Sequence, residues 1–469
     1  MKTNMARAQS VDNAIIHQLG TTQDRLTGRA GLVLFSRYLR GVGILPELGR
    51  VFGSLRKSGK GLPVADLFQQ ALCFFVDGTS RHLVRFDALK EDPGYAGAIE
   101  TAPERMASSH TMKRFFGAFR GSQNWGFRRV LQQLFVWRLK LEQPKVIILG
   151  IDAMVMDNDE AKQRHGVQPT YKKVCGFAPL QVTWGRYIVD TVFRGGKKHS
   201  NADESVAKAV HRLVARIRKQ YRADVPILVR MDSGFFDQAL FALFEDLGLG
   251  YVVGARLSRE VVQYAGGSEA SLWGSYQNQR QEWQYLEFGH RCASWKRLRR
   301  FFYTRPVYEE EQRLLEFARP DTVLVTNLGR GETIDRQLEA AGLGDWMEPE
   351  RIIELYHQRG SDELVFRALK EFASETLPFQ SFSANSAFYH TMLLAFFFFE
   401  SFKEDVAAPV VPVTARATRV RRTLVDFAGK IVRTGGRTIL RMTRSTFRHL
   451  RLDELWAKSG DPPRFAWQT

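Results

Sequence analysis

The chain has 469 residues, enough to bury a large core and to form two or three domains, and a hydrophobic content of 44% excludes wholesale disorder. Lysine and arginine number 68 against 50 aspartates and glutamates, a formal charge of +18 at pH 7. That excess draws a protein to polyanions, nucleic acid first and anionic membrane second.

Residues 1–30 are polar and read as a flexible tail without the apolar core of a signal peptide. Residues 31–140 read as helical, because Leu67, Ala71, Leu72, Phe75 and Val76 recur with a period near 3.6. Within them, Ser108 to Phe115 has the pattern of a capped start leading into a basic amphipathic helix. Such a helix suits DNA, and it also suits an ordinary surface.

A different pattern starts at about residue 141. Val146-Ile147-Ile148-Leu149 is a short apolar run leading to Asp152, the mark of a buried strand. Strand-like segments follow near Lys173–Trp184 and Tyr187–Phe193, then a helical run from Asn201 to Tyr221. Val225 to Val229 predicts a strand running into Asp232, Gln238–Leu247 a helix, and Gly250–Gly254 another strand. The order β-β-β-α-β-α-β over 141–254 describes a mixed sheet covered by helices, an α/β class.

Residues 255–346 break this rhythm with Trp273, Trp283, Trp295 and Trp346 amid Gln, Arg and Gly, and read as a mostly β insertion. Helical grammar returns over 347–405, first as one helix at Pro349–Phe372 and then at Phe388–Phe402. The stretch Met392–Phe399 is far short of the roughly 20 apolar residues a spanning helix needs, so a buried helix and no membrane partner are expected. Residues 406–469 form a basic region with Arg416, Arg419, Arg421, Arg422, Lys430, Arg433, Arg437 and Arg441 among its cations. Cys73, Cys175 and Cys292 form no CxxC pair, which fits a reducing, cytoplasmic compartment and excludes a zinc cluster.

Two aspartates occupy matching places at strand ends, Asp152 and Asp232. Ligands of α/β sheets gather at the carboxyl ends of strands, so both could converge on one site and hold a hard cation such as Mg²⁺. Singly, an aspartate after a strand more often caps a turn. The third signal is sharper. Tyr356, Arg359, Glu363 and Lys370 fall within roughly 60° of one another on a continuous helix, aiming a phenol, two cations and a carboxylate in one direction. The carboxylate can complete a metal site while the cations and hydroxyl hold DNA phosphates. An exposed helix face with an i,i+4 pair would look similar.

The segment Tyr356 to Lys370 resembles the Y-(2)-R-(3)-E-(6)-K signature of DDE transposases in the insertion-sequence 4 group. The strand leading to Asp152, the Asp232-Ser-Gly-Phe-Phe element and His165-Gly166-Val-Gln168 look most like its insertion-sequence 1380 family. The resemblance spans the chain from Thr27 to about Leu455. It implies an RNase H-like catalytic domain interrupted by the β insertion, and a helical N-terminal DNA-binding region. It also implies Asp152, Asp232 and Glu363 as a triad for Mg²⁺, with Mn²⁺ as substitute, and Tyr356, Arg359 and Lys370 as DNA-binding residues. The implied partners are terminal inverted repeats, target DNA and a second copy of the chain in a nucleoid-associated complex. A DNA nuclease that never joins strands and a non-catalytic DNA-binding derivative are the alternatives. Relatives hold a flipped base with a tryptophan, and no motif selects among the four candidates here.

Overall fold

An apolar run without alternation needs cover on both faces, and the Ile147–Ala153 strand receives it at the middle of a large sheet. The computed structural model describes residues 18–56, 60–199, 202–277, 281–293, 295–309, 312–313 and 321–467. Its ten-stranded sheet runs, in spatial order, Trp273–Gln277, Gln281–His290, Arg299–Glu309, Thr322–Thr326, Gly250–Ala255, Ile227–Met231, Ile147–Ala153, Leu180–Trp184 and Tyr187–Val192, with Gln312–Arg313 attached at the side. The three central strands are parallel, with Leu149 opposite Val229 and Val229 opposite Tyr251. Antiparallel strands flank them on both sides. Within the large sheet the expected β-β-β-α-β-α-β order is present, with helices Ser205–Gln220 and Gln238–Asp246 as the parallel crossovers. The expected segment Lys173–Trp184 is split, Cys175–Phe177 pairing with Met156–Asp157 and Gln168–Pro169 in a separate small sheet.

Alternation along the strands sorts the two faces. Leu228 and Val252 pack with Ile352, Ile353 and Leu355 of helix Pro349–His357. Val229 and Val253 face the other way, into the larger core that holds Leu134 of helix Gly121–Glu142 and Val210 and Leu213 of helix Ser205–Gln220. Helix Phe382–Phe402 is buried from Ala384 to Phe402 and threads this core, in keeping with a buried apolar helix. Among the described residues no helix is long and apolar enough to cross a membrane.

The β segments after Ala255 join the central sheet. Thr322–Thr326 pairs with Gly250–Ala255, Arg299–Glu309 pairs with Thr322–Thr326, and the insertion extends the same sheet. The polar tail is also not uniformly without structure. Residues 1–17 lie outside the described residues, but Arg25–Thr27 is a strand paired with Gly429–Thr434. Finally, the single helix over Pro349–Phe372 is two, Pro349–His357 and Gly360–Phe372. At the junction the backbone bonds tighten to i→i−3, Arg359 N to Tyr356 O at 2.9 Å and Asp362 N to Arg359 O at 2.9 Å. The Ser361 hydroxyl donates to the Gln358 carbonyl at 2.7 Å, and Gly360 adds little helix propensity, so the two helices meet at a tight turn.

Candidate active site

Asp152 is the next-to-last residue of its strand, and Asp232 follows directly on the neighbouring parallel strand Ile227–Met231. By alternation Asp152 shares its face with Gly150, and Asp232 with Arg230, on the side covered by the Glu363 helix. Two glycines let that helix pair come close. A Cβ on Gly150 would lie 2.4 Å from Asp362 Oδ2, and one on Gly254 would lie 2.6 Å from the Tyr356 hydroxyl and 2.9 Å from Ser233 N. A side chain at either position would force these neighbours to shift.

Asp362, next to Glu363, locks the helix to the sheet. Arg230 donates to both its oxygens, from Nε to Oδ2 at 2.9 Å and from Nη2 to Oδ1 at 3.0 Å. Thr183 Oγ1 adds a third bond to Oδ1 at 2.9 Å. The side chains of Arg230 and Asp362 are 8% and 4% exposed, so water offers neither charge a substitute partner. This anchor escaped the reading of the sequence. Its signal was an arginine inside the apolar strand Ile-Leu-Val-Arg-Met, which must find a buried counter-charge.

Arg359 is the hub of the site. Its Nη1 lies 3.6 Å from Asp152 Oδ2 and its Nη2 lies 3.6 Å from Glu363 Oε1. Burial, then the nearby charge of Asp232, push the Asp152 carboxyl up to about 6, partly opposed by a bond from the Ala153 amide and by Arg359. Burial opposes the charge on Arg359, yet Tyr356, Asp152, Asp232 and Glu363 together hold its pKa above the ordinary value. Burial also raises the Tyr356 hydroxyl, with Arg359 pulling the other way. Asp232 Oδ1 accepts from the Gly234 amide at 2.9 Å, so this carboxylate also caps a turn.

The three carboxylates thus share one neighbourhood. They do not share one coordination sphere: among the described residues no three His, Cys, Asp or Glu side chains converge to hold a metal as they stand. The Arg359 guanidinium stands between Asp152 and Glu363, and the Glu363 side chain is 64% exposed. Three carboxylates against one guanidinium leave an uncompensated negative charge on hard oxygen donors. That donor set fits a divalent cation of the Mg²⁺ class.

Other singled-out residues lie elsewhere. Lys370 bonds Glu375 Oε2 at 2.7 Å, two turns along the helix from Glu363 and so about 10 Å away along its axis. Trp295 is buried among Phe236, Phe241 and Phe301, and Trp283 packs against His357 with ring centroids 4.2 Å apart. Trp346 packs on the second core, and Trp273 is partly buried under Arg305. His165 is exposed, its amide bonded to Gln380 O at 3.0 Å. Among the tail arginines, Arg421 is used internally. It donates to Phe75, Val76 and Phe372 carbonyls at 2.6–2.8 Å.

The family model for the transposase DDE domain, group 1, matches residues 16–458. No curated protein matches the chain. Among solved structures, the cryo-EM structure of a piggyBac transposase synaptic complex with hairpin DNA is similar at 13% identity and a TM-score of 0.42, over 86% of this chain and 81% of that one. Matched along nearly its whole length, the chain belongs to the DDE transposase family.

Proposed function

We propose that this DDE transposase is encoded by a bacterial insertion sequence, of the insertion-sequence 4 group and most like its 1380 family. It cleaves DNA phosphodiesters at the ends of its element and joins the freed 3′-OH ends to target DNA. The observation that carries this reading is the placement of Asp152 and Asp232 on adjacent strand ends, with Glu363 brought beside them through Arg359. In this reading 141–254 and 347–405 make an RNase H-like catalytic domain, 255–346 its β-rich insertion, and 31–140 and 406–469 the regions that bind terminal inverted repeats.

Asp152, Asp232 and Glu363 hold Mg²⁺, or Mn²⁺ in its place, which would supply charge stabilisation for the entering and leaving oxygens of phosphoryl transfer. In the first step water adds to phosphorus and the 3′-oxygen leaves with a proton. In the second that 3′-hydroxyl adds to a target phosphorus, a target 3′-oxygen leaves, and the number of phosphodiesters is conserved. Arg359 and Tyr356 hold the scissile phosphate, Arg359 exchanging its carboxylate partners for phosphate oxygens. Lys370 holds a phosphate further along the strand. Position is the protein's contribution to rate. Two element ends must be brought together, so a homodimer in the DNA complex is part of the proposal.

The test uses duplexes carrying the element's ends, with and without Mg²⁺, and a second set already cut at the 3′ end. Metal-dependent cutting of the first set and joining of the second are expected. Cutting without joining would identify a nuclease, and binding without either would identify a non-catalytic derivative.

A further inference from the structure

Apart from the carboxylates, helices Ile44–Phe52, Gly121–Glu142 and Ser205–Gln220 wall a cavity of about 730 Å³. Five arginines line it, Arg50, Arg128, Arg129, Arg212 and Arg216, and no acidic residue does. The placement follows from helical spacing. Trp125, Arg129 and Gln132 lie on one face of the first long helix, and Arg212 and Arg216 stand one turn apart on the other.

Two of these charges already have partners. Arg128 is held by both oxygens of buried Asp190, at 2.8 and 2.6 Å, and Arg50 pairs with Glu47 at 2.5 Å. Among the described residues no carboxylate lies within ion-pair distance of Arg129, Arg212 or Arg216. Arg216 bonds only neutral amides, Gln132 at 3.2 Å and Gln220 at 3.3 Å. Burial, and then repulsion from Arg129, lower its pKa, partly opposed by the charge of Asp190. Trp125 keeps 51% of its surface exposed, with the Arg212 guanidinium 4.1 Å above its ring. Crowding like charges around an exposed indole costs stability, and a bound polyanion would remove that cost.

We propose that this cavity is a second DNA contact, in which Arg129, Arg212 and Arg216 bind backbone phosphates and Trp125 lies against the sugar edge. The proposal rests on the reading that the chain acts on DNA. It adds a site that shares no residue with the carboxylate centre. The cavity flanks Tyr187–Val192, the edge strand two places over from the Asp152 strand. A duplex phosphate ladder fits a row of guanidiniums spaced by helical turns, and such contacts position DNA without reading its sequence. An acidic protein segment is the competing occupant, and the test rejects one or the other.

The experiment is equilibrium binding of a random-sequence duplex to the full chain across a salt series. It compares the parent with Arg129→Gln/Arg212→Gln and with Arg129→Lys/Arg212→Lys. Both arginines are exposed, so the variants should fold, which an unchanged thermal midpoint would verify. Losing two phosphate contacts should make the slope of log K against log [salt] shallower by about 2 and weaken low-salt binding about tenfold or more. The lysine pair should keep the slope. An unaltered slope and affinity in the glutamine pair, with the parent binding normally, would overturn the second contact alone. A parent that binds no DNA would overturn the functional reading and this inference together.

Discussion

The buried pair of Arg230 and Asp362 fixes the helix that carries Glu363, the carboxylate the proposed function uses. Removing one partner strands the other charge in the core, so Asp362→Ala should destabilise the protein by about 3–5 kcal/mol. Replacing both, as Arg230→Met with Asp362→Leu, should recover most of that stability, because no charge is left unpaired. Cleavage should stay at least tenfold below the parent, since Glu363 would lose its anchor. A stable double variant with parental cleavage would show that the pair serves folding only. Arg359 makes a second residue-scale case. Its 3.6 Å contacts to Asp152 and Glu363 are loose, so Arg359→Ala should leave the fold intact. It should slow cleavage and weaken binding of pre-cut ends, and Arg359→Lys should restore only part, lacking the planar two-point contact. An Arg359→Ala chain that cuts and joins at the parental rate would remove the phosphate-holding role.

Among the elements, the central strands were legible because each is a short, mostly apolar run, two of them leading into an aspartate. Ile227–Met231 and Gly250–Ala255 lie within two residues of their expected bounds, and Ile147–Ala153 runs past the expected Val146–Leu149 to take in Asp152. Periodicity missed the break at Gln358–Arg359, where a serine hydroxyl and i→i−3 bonding part the one expected helix into two. Nor could periodicity show that the strands after Ala255 join the central sheet, because pairing partners distant in sequence leave no local mark. The two carboxylates and the glutamate were visible as residues, whereas Gly150, Arg230 and Asp362 acquire meaning only once the helix is laid on the strands. Gly150→Ala would force a Cβ to 2.4–2.5 Å from Asp362 and Thr183, so it should lower both stability and cleavage, read by the thermal midpoint and by turnover. The basic hairpin Gly429–Thr434 and Arg437–Arg441 carries Arg433, Arg437 and Arg441 exposed. Changing all three to glutamine should flatten the salt slope by up to about 3 if each meets a phosphate. An unchanged slope would place the DNA elsewhere.

At the scale of the whole molecule, the core holds histidines as neutral groups. Burial lowers both His357 and His390 to about 4 from an ordinary value of 6.5. A folded pKa below the unfolded one means stability that is present above pH 6.5 and lost as pH falls toward 4. Asp152, raised to about 6, and Asp77, also raised by burial, act in the opposite sense over part of that window. The parent's pH profile therefore mixes both signs, and a difference isolates the histidine. Relative to the parent, His390→Gln should gain about 1.4 kcal/mol per pH unit as pH falls through 6 and 5, measured by denaturant unfolding. A pH-independent difference would mean that His390 is charged in the folded state.

The proposed function has Asp152, Asp232 and Glu363 act as one centre, in a chain of +18 charge that belongs to the DDE transposase family. Groups that act as a unit lose activity together, so the losses from single changes do not multiply. The decisive measurement is Mg²⁺-dependent cleavage of an element-end duplex by Asp152→Ala, Asp232→Ala, Glu363→Ala and the triple variant, with binding of the same duplex measured in parallel. Each single variant should cut about a hundredfold or more slower than the parent, the triple no slower than the worst single, and all should keep binding the duplex. A single variant cutting within about tenfold of the parent, or single losses that multiply in the triple, would contradict a shared catalytic centre.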